Sequence, residues 1–290
     1  MRRLIATIGF YLLMVANAFA FEAPQTVTIE AGKFIFGSDK QQRDYGYQLD
    51  EKAYGHAITR QQGWYDHEAR QQELILAHFE ITANLITNAQ YEAFLADTNH
   101  RRPWVGADTW AGYRLVHPYA RARRHNWPNR QPPKGRANHP VVLVSFADAQ
   151  AYARWLSEKT GQTWQLPSEK QWEKAARGTN GRYFPWGNRF DPTMLNSHDN
   201  GPFDTRAVGQ YPQAASPFGM LDAAGQVFEW TSTPAGKNRH RVKGGSWDDK
   251  GCGVCRSAAG HSRPDYLKHI LVGFRLTRIS RAFPAAPELL

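Results

Sequence analysis

Cysteine is scarce in this chain. Only two of its 290 residues are cysteines, and they stand three positions apart as Cys252 and Cys255. So few thiols exclude a disulfide-rich scaffold, which uses several bridges in place of a large core. Two thiols at this spacing leave three uses open: a tight disulfide, a soft metal site or redox chemistry. The pair Gly244-Gly245 lies just before them, and glycines at a turn let the backbone come close to whatever group sits there.

Long hydrophobic runs are also missing. The apolar segment from Leu4 to Val15 is too short to span a bilayer comfortably, and no later stretch is longer. It follows the basic start Met1 to Arg3 and precedes the small residues Ala18 to Ala20, which together make the three parts of a secretory signal peptide. We therefore expect residues 1–20 to be removed and the protein to be periplasmic or secreted, without stable membrane insertion. A retained N-terminal anchor is the alternative.

Export bears on the cysteine pair. An oxidising compartment would make a disulfide the resting state of Cys252 and Cys255.

Histidine-based metal sites have little support, because the eleven histidines show no HxH, HxxxH or HExxH spacing.

Acidic residues are nearly absent from one basic segment. The net charge is +10, and nine Arg or Lys stand between Arg101 and Arg136 against the single acid Asp108. Five prolines and five Trp or Tyr residues are interleaved with them, so we predict a long loop or insertion over residues 101–138 rather than a regular helix. Arginine beside aromatic rings suits anions or nucleic acid. An exported protein rarely meets nucleic acid, so we expect an anionic partner or substrate, or simply a solvated lid.

The N-terminal part of the mature chain predicts few regular elements. Alternation over Thr26 to Glu30 and Gly32 to Gly37 predicts a hairpin. Residues 38–72 show no clear period and are expected to be a loop. A strand is predicted at His78 to Ile81, followed by a helix from Asn88 to Asp97.

Capping signals mark two further helices. One begins at Ser145 and ends at Gly161, and the next begins at Ser168 and ends at Gly178. From Arg182 onward the helical period disappears, so a long irregular C-terminal half is expected. With no repeat, low-complexity tract or linker, one domain is the economical interpretation.

Six ordered motifs resemble the formylglycine-generating enzyme family, also called sulfatase-modifying factor proteins. They are His139 to Val141, Leu166 to Gly178, Phe184 to Asn188, Phe218 to Ser232, Arg241 to Trp247 and Gly273 to Arg275. The resemblance implies a single α+β domain related to the C-type lectin fold, with little regular secondary structure. We assign residues 21–278 to it and residues 279–290 to a C-terminal tail.

The resemblance also implies a candidate active site. The family's best-known members bind copper(I) through two cysteines after the Gly-Gly-Ser turn and use dioxygen to oxidise a cysteine of a polypeptide to formylglycine. Cys252 matches the second of those cysteines, whereas Cys255 falls at a position that is unrelated in those enzymes. Ser246 matches a serine that lines their active site, and Gly260 replaces an arginine that helps hold the substrate. The candidate catalytic residues are Cys252, Cys255, Ser246 and Trp247, with copper(I) as a candidate cofactor.

Two calcium sites are implied in the same way. The first uses the Asp222 and Glu229 carboxylates and the Gly225 and Val227 carbonyls. The second uses Asn196, the Ser197 carbonyl and one of Asp199 or Asn200. Hard oxygen ligands in a flexible loop are what calcium requires.

The sequence therefore predicts an exported, monomeric, oxygen-dependent oxidoreductase acting on a peptide or a small anionic metabolite. Other family members, such as the exported PvdO type, keep the fold without the cysteine chemistry. A non-catalytic scaffold that binds a ligand or a protein in a lectin-like cleft is therefore the alternative.

Overall fold

The computed structural model describes residues 22–279, so the predicted signal segment and nearly all of the predicted tail lie outside the described residues. The helices are α1 Lys40–Tyr54, α2 Ile58–Gln61, α3 Asn88–Asp97, α4 Ala107–Gly112, α5 Tyr119–Ala122, α6 Phe146–Thr160 and α7 Glu169–Arg177. The strands are β1 Thr26–Ile29, β2 Gly32–Phe36, β3 Gln72–Leu76, β4 Phe79–Thr82, β5 Thr163–Gln165, β6 Phe228–Pro234, β7 Arg239–Lys243, β8 Gly260–Pro264, β9 Val272–Gly273 and β10 Thr277–Ile279. Within residues 22–279 no helix is both long and apolar enough to cross a membrane.

The strands form three small sheets. One has the order β1-β4-β10-β5, the second pairs β2 with β3, and the third has the order β8-β7-β6-β9 with β6 and β9 parallel. Helices and sheets together bury one aromatic-rich core, so the chain is a single α+β domain, as the sequence predicts.

The predicted N-terminal hairpin is wrong. β1 and β2 are both strands, but β1 pairs with β4 and β2 pairs with β3. Alternation identifies a strand that has one buried face, whereas the choice of its partner depends on contacts made much later in the chain.

The predicted loop over residues 38–72 is also wrong, because all of α1 and α2 lie within it. Asp39 caps α1 by accepting a hydrogen bond from the backbone N–H of Gln42, and Gly55 ends the helix at φ 74°. The buried face of α1 includes Gln42, Gly46 and Asp50. A helix that buries polar and glycine residues shows no apolar period, which is why the pattern is not visible in the sequence.

The three predicted helices are confirmed, one from its apolar period and two from capping signals. α3, α6 and α7 each begin with a complete capping box, formed by Thr87 with Gln90, Ser145 with Asp148, and Ser168 with Gln171. The basic segment 101–138 contains only the short helices α4 and α5 and one 3₁₀ turn, so the prediction that it is no regular helix is confirmed.

The expected irregular C-terminal half needs a partial correction, since it contains the sheet β8-β7-β6-β9. The strands β7 (RHRVK) and β8 (GHSRP) are paired over five residues but carry few apolar side chains. Their polar composition hides the period-2 signal on which strand prediction depends.

A buried ion pair joins the two larger sheets. Glu229 on β6 and Arg275, which follows β9, are both fully buried. Arg275 Nε and Nη2 donate to the two Glu229 carboxylate oxygens at 2.6 and 2.8 Å. The remaining Arg275 donors bond the backbone carbonyls of Thr82, Ala83 and Leu221, and Trp172 Nε1 on α7 donates to Glu229 at 2.7 Å. One guanidinium therefore holds together the end of β4, the strand β6 and the loop before it.

Arg275→Leu is expected to lower the free energy of unfolding by about 3–5 kcal/mol, because it leaves a buried carboxylate without compensation. Urea denaturation at pH 7 measures the change. The double variant Glu229→Gln/Arg275→Leu should cost less than the sum of its two single variants. Lys33→Leu, which breaks the exposed pair with Glu73, is the control and should leave the free energy of unfolding nearly unchanged. Strict additivity at Glu229 and Arg275 would contradict the coupling.

Candidate functional site

The Gly244-Gly245-Ser246 turn, between β7 and the cysteine loop, is the centre of the predicted site. Both glycines have positive φ, 99° and 73°. A Cβ on Gly245 would lie 2.5 Å from the Cys255 sulfur, so only glycine fits against it. The turn is fastened from the other side, since Gly225 N–H donates to the Gly244 carbonyl at 2.7 Å.

Cys252 and Cys255 form a disulfide, as predicted for an exported chain, with their Cα atoms 4.8 Å apart. Both residues are completely buried within the main hydrophobic cluster. The bridge closes a short 3₁₀ turn that packs on α1, where Gly253 N–H donates to Asp50. In this state each sulfur is bonded to the other, so neither is available as a thiolate ligand for copper(I).

Ser246 has a structural role in this arrangement. It is fully buried, and its backbone N–H and its hydroxyl both donate to Asp249 Oδ2 at 2.7 Å. Burial raises the pKa of Asp249 to about 6. The Ser246 hydroxyl is therefore directed at its own loop, and partial exposure begins only at Asp248.

The basic insertion covers Trp247, in agreement with the predicted lid. Trp247 is fully buried, with its ring 5.5 Å from His117 and 5.2 Å from Phe203. Arg121 of α5 lies 4.2 Å over Phe203 and 5.8 Å from Trp247. The Trp247 indole N–H is buried and finds no hydrogen-bond partner among the described residues.

Several arginines of the insertion bond carboxylates or backbone carbonyls of the protein itself. Arg101 bonds Asp148, Arg136 makes a two-pronged ion pair with Asp204, and Arg130 donates to three backbone carbonyls. These arginines fasten the insertion to the domain, so the segment is an anchored cover rather than an open basic surface.

A cavity of about 460 Å³ opens beside this turn, between the insertion and the strands β7 and β8. Its lining includes Tyr113, His117, Asp248, Arg239, Arg263, Tyr266 and His269. A larger cavity of about 900 Å³ runs along α3, but no residue of the turn or the cysteine loop lines it. The smaller cavity is lined by Asp248, which directly follows Trp247, but by none of Ser246, Trp247, Cys252 and Cys255. Its volume suits a small molecule.

Two arginines give this cavity its charge. Arg239 donates to the Ser262 hydroxyl and carbonyl, and Arg263 donates to the Ser262 carbonyl. Arg263 also lies 5.6 Å from the centre of the Phe228 ring. Among the described residues neither guanidinium has a carboxylate within ion-pair distance, whereas the carboxylate of Asp248 on the same cavity pairs with His117 at 3.0 Å. The cavity therefore carries two arginines without a carboxylate at ion-pair distance and one carboxylate, that of Asp248, and Asp249 attracts Arg263 from a longer distance.

His269 forms part of the cavity's inner wall. It stacks on Trp110 with ring centres 5.3 Å apart, and its Nδ1 accepts a hydrogen bond from Leu271 N–H at 3.1 Å. Burial lowers the pKa of His269 to about 3. The ring is therefore neutral at physiological pH and holds its proton on Nε2.

The carboxylates of the first predicted calcium site already bond other protein groups. Both Glu229 oxygens bond Arg275 or Trp172, and Asp222 Oδ2 accepts the Gly209 N–H at 2.7 Å. Asp222 and Glu229 are both buried, and burial raises the pKa of Asp222 to about 6. The donor set fits calcium poorly, because an ion at Glu229 would have to displace Arg275.

The second predicted calcium set has an oxygen without a partner. Asn196 is buried, its side-chain N–H groups bond Asp204 and Gln226, and its Oδ1 has no partner. Asn196 Oδ1 and the Ser197 carbonyl converge on the side of Gly201 where a Cβ would lie 2.2 and 2.6 Å from them. These two oxygens suit a cation.

The remaining members of that set are on the surface. Asp199 and Asn200 are exposed, and Asp199 Oδ2 accepts the Gly251 N–H at 2.7 Å. Within residues 22–279 no three His, Cys, Asp or Glu side chains cluster in a way that could hold a metal ion by themselves. A cation at Asn196 would therefore depend mainly on amide and carbonyl oxygens.

Sequence reasoning missed the residues that line the cavity. His117 and His269 have no spacing signal, and Arg239 and Arg263 lie on strands that were not recognised. The only available signal was the Asp248-Asp249 pair directly after the turn motif, where acidic side chains could face a site.

The chain is a single-domain α+β protein. Its candidate site is the cavity between the insertion and the strands β7 and β8. The sequence model of the sulfatase-modifying factor enzyme 1-like domain matches residues 13–279, and the chain belongs to this family. The resemblance stated from the six motifs is thereby confirmed.

Three curated relatives share part of the chain. The formylglycine-generating enzyme of Mycobacterium tuberculosis is 40% identical over 111 residues, 34% of each protein. Hercynine oxygenase of Mycolicibacterium thermoresistibile is 31% identical over 207 residues, 58% of this chain and 44% of the relative. Inactive C-alpha-formylglycine-generating enzyme 2 of Mus musculus is 36% identical over 134 residues, 41% of each. The chain spans less than half the length of each of these relatives.

Solved structures agree on the fold. PvdO from Pseudomonas aeruginosa superposes with a TM-score of 0.66 at 21% identity, covering 88% of this chain and 94% of that one. CarF superposes with a TM-score of 0.57 at 20% identity, covering 88% and 98%. At these identities the similarity concerns architecture alone.

The neutral state of His269 predicts a pH dependence. Because its folded-state pKa lies below the ordinary 6.5, its contribution to stability is complete above that value and is lost as pH falls. Between pH 7 and pH 5 the free energy of unfolding should fall by on the order of 1–2 kcal/mol from this group.

His269→Asn, which retains an acceptor for Leu271 N–H, should make the decline shallower in urea denaturation across that range. His56, which is exposed, changed in the same way, is the matched control. Parallel pH profiles for wild type and His269→Asn would contradict the assignment.

Proposed function

We propose that the chain is an oxidoreductase of its family that acts on a small anionic metabolite bound in the cavity beside Trp247. The supporting observation is the presence of Arg239 and Arg263 on one cavity without carboxylate partners. Neither guanidinium has a carboxylate at ion-pair distance, and the planar fork of an arginine suits an oxyanion. Relatives named as a formylglycine-generating enzyme and a hercynine oxygenase support an oxidation as the reaction class.

In this proposal dioxygen accepts the electrons that the substrate loses. Arg263 and Arg239 hold the substrate's anionic group, and the His117–Asp248 pair holds the insertion against the cavity wall. The net charge of the chain aids the approach of anions, and we propose no nucleic-acid partner.

Copper(I) remains a proposal for the reduced protein. Reduction of the disulfide would release two soft thiolates, which are suitable ligands for copper(I). They are buried and close together, so binding would require the loop from Cys252 to Cys255 to open. Ser246 and Trp247 would then contribute through the shape of the turn rather than as ligands.

A binding scaffold without catalysis is the second candidate. The complete burial of both sulfurs favours it, because a closed disulfide supplies neither a metal ligand nor an accessible redox group. A relative whose name describes it as inactive also aligns with 41% of the chain. Both candidates use the same cavity, and they differ in whether the bound anion is oxidised.

Oxygen uptake separates the two candidates. The purified protein is reduced, given one equivalent of copper(I) and supplied with glutathione as an anionic thiol, and oxygen consumption is recorded against copper with glutathione alone. We expect uptake above that background, its loss in Cys252→Ser, and a KM raised at least tenfold in Arg263→Gln. Arg154→Gln, an exposed arginine on α6, is the control for loss of charge.

Titration with copper(I) against a competing chelator completes the test. Failure of the reduced protein to compete, together with oxygen uptake no faster than background, would overturn the enzyme proposal and leave the binding scaffold. Cys252→Ser should also cost at most a few kcal/mol of stability, since the bridge closes a very short loop.

We also propose that calcium binds at Asn196 and the Ser197 carbonyl, where a buried oxygen lacks a partner. Binding to the folded state alone raises stability by mass action, so excess EDTA should lower the melting temperature by several degrees. Asn196→Ala should show a smaller response, whereas Asp222→Asn should respond like wild type. An unchanged melting temperature with EDTA and no calcium by elemental analysis would refute the site.

The localisation is likewise a proposal. Residues 1–20 have the composition of an export signal, and the disulfide suits an oxidising compartment. Periplasmic or secreted location therefore remains an expectation from the sequence, as does the monomeric state.

A further inference from the structure

The mouth of the cavity beside Trp247 is unusually apolar for an exposed rim. Val116 has 95% of its surface exposed and Tyr266 has 66%, and both line this cavity. Val116 lies between α4 and α5, and Tyr266 follows β8. These two side chains of the rim therefore come from segments far apart in sequence.

The rim is held in place by the residues beside it. Arg114, two positions before Val116, adopts the left-handed conformation at φ 52°, and Leu115 packs against a buried cluster that includes Trp110 and Trp247. The Tyr113 ring lies 6.2 Å from the Tyr266 ring, inclined at 36°. Val116 is thus presented to solvent on a folded support rather than on a free chain end.

The same cavity is cationic elsewhere. Arg239 and Arg263 line it without a carboxylate at ion-pair distance in residues 22–279, and the Tyr113 and Tyr266 rings line it as well. Its one acidic lining residue, Asp248, pairs with His117 at 3.0 Å. A ligand that satisfied only the guanidinium groups would leave Val116 and Tyr266 in water. A ligand with both an oxyanion and an apolar ring would satisfy the arginines and also remove the apolar rim from water.

We propose that the cavity selects an aromatic carboxylate, with the carboxylate at Arg263 and Arg239 and the ring against Tyr266 and Val116. An aromatic ring suits this rim because inclined tyrosine rings offer it edge and face contacts. This inference rests on the proposed function for the location of the site, and it does not require that the ligand be oxidised.

Three matched probes test it by titration calorimetry on the oxidised protein, without copper. Phenylacetate carries both groups, acetate carries only the carboxylate, and phenylacetamide carries only the ring with a neutral head. We expect phenylacetate to bind at least tenfold more tightly than either of the others. Equal affinity of acetate and phenylacetate, or of phenylacetamide and phenylacetate, would overturn the proposal, as would no binding of phenylacetate.

Variants test which residues contact the carboxylate of the ligand and which contact its ring. Arg263→Gln and, separately, Arg239→Gln should weaken phenylacetate at least tenfold, with folding checked by circular dichroism. Tyr266→Ser and Val116→Ser, both on the exposed rim, should weaken phenylacetate severalfold and leave acetate unchanged. Arg154→Gln should change neither. Rim variants without effect on phenylacetate would refute the apolar contact.

These outcomes are separate from those of the proposed function. Selective binding of phenylacetate without any copper-dependent oxygen uptake supports this inference while overturning the oxidoreductase. Oxygen uptake that depends on Arg263, together with equal affinity for acetate and phenylacetate, supports the oxidoreductase while overturning the aromatic selectivity.

Discussion

The Glu229–Arg275 ion pair is the interaction on which the rest of the structure depends. It is fully buried, it uses both carboxylate oxygens, and its arginine also satisfies three backbone carbonyls from the end of β4 and the loop before β6. A charge pair in such surroundings is costly to desolvate, so its value lies in fixing one arrangement of the segments that it joins. With little regular secondary structure, the domain needs such fixed points, because loops cannot satisfy their polar groups by ladder bonds alone.

A short series of hydrogen bonds connects the Glu229–Arg275 ion pair to the candidate site. β6 carries Glu229 and is preceded by the loop that contains Gly225 and Gln226. Gly225 N–H bonds the Gly244 carbonyl, and Trp247 N–H bonds the Gln226 carbonyl. The turn from Gly244 to Trp247 is thereby positioned from the buried side, and the disulfide secures the loop beyond it. The residues that the family resemblance marks as catalytic are accordingly packed inward, and the cavity is lined by their neighbours.

Charge is distributed unevenly around that cavity. Arginines of the insertion are matched by Asp148, Asp204 or backbone carbonyls, which makes the segment a fixed cover. Arg239 and Arg263, on strands that the sequence does not reveal, line the cavity without a carboxylate at ion-pair distance among the described residues, and Asp248 lines it with them. The basic segment that stands out in the sequence is therefore mainly structural, and the positive charge available to a ligand comes from elsewhere.

Short-range patterns were enough to predict the family, the single α+β domain and the helices α3, α6 and α7, because ordered motifs, apolar periodicity and capping signals are all local. Export to an oxidising compartment, inferred from residues 1–20, predicted the bridge between Cys252 and Cys255. The partners of β1 and β2, the helix α1 with its polar buried face, and the strands β7 and β8 followed only from the tertiary structure. The same holds for the pairing of the arginines, because partners such as Arg136 and Asp204 stand 68 positions apart. Local patterns record which face of a segment is buried, whereas the partner across that face is fixed only when the whole core is assembled.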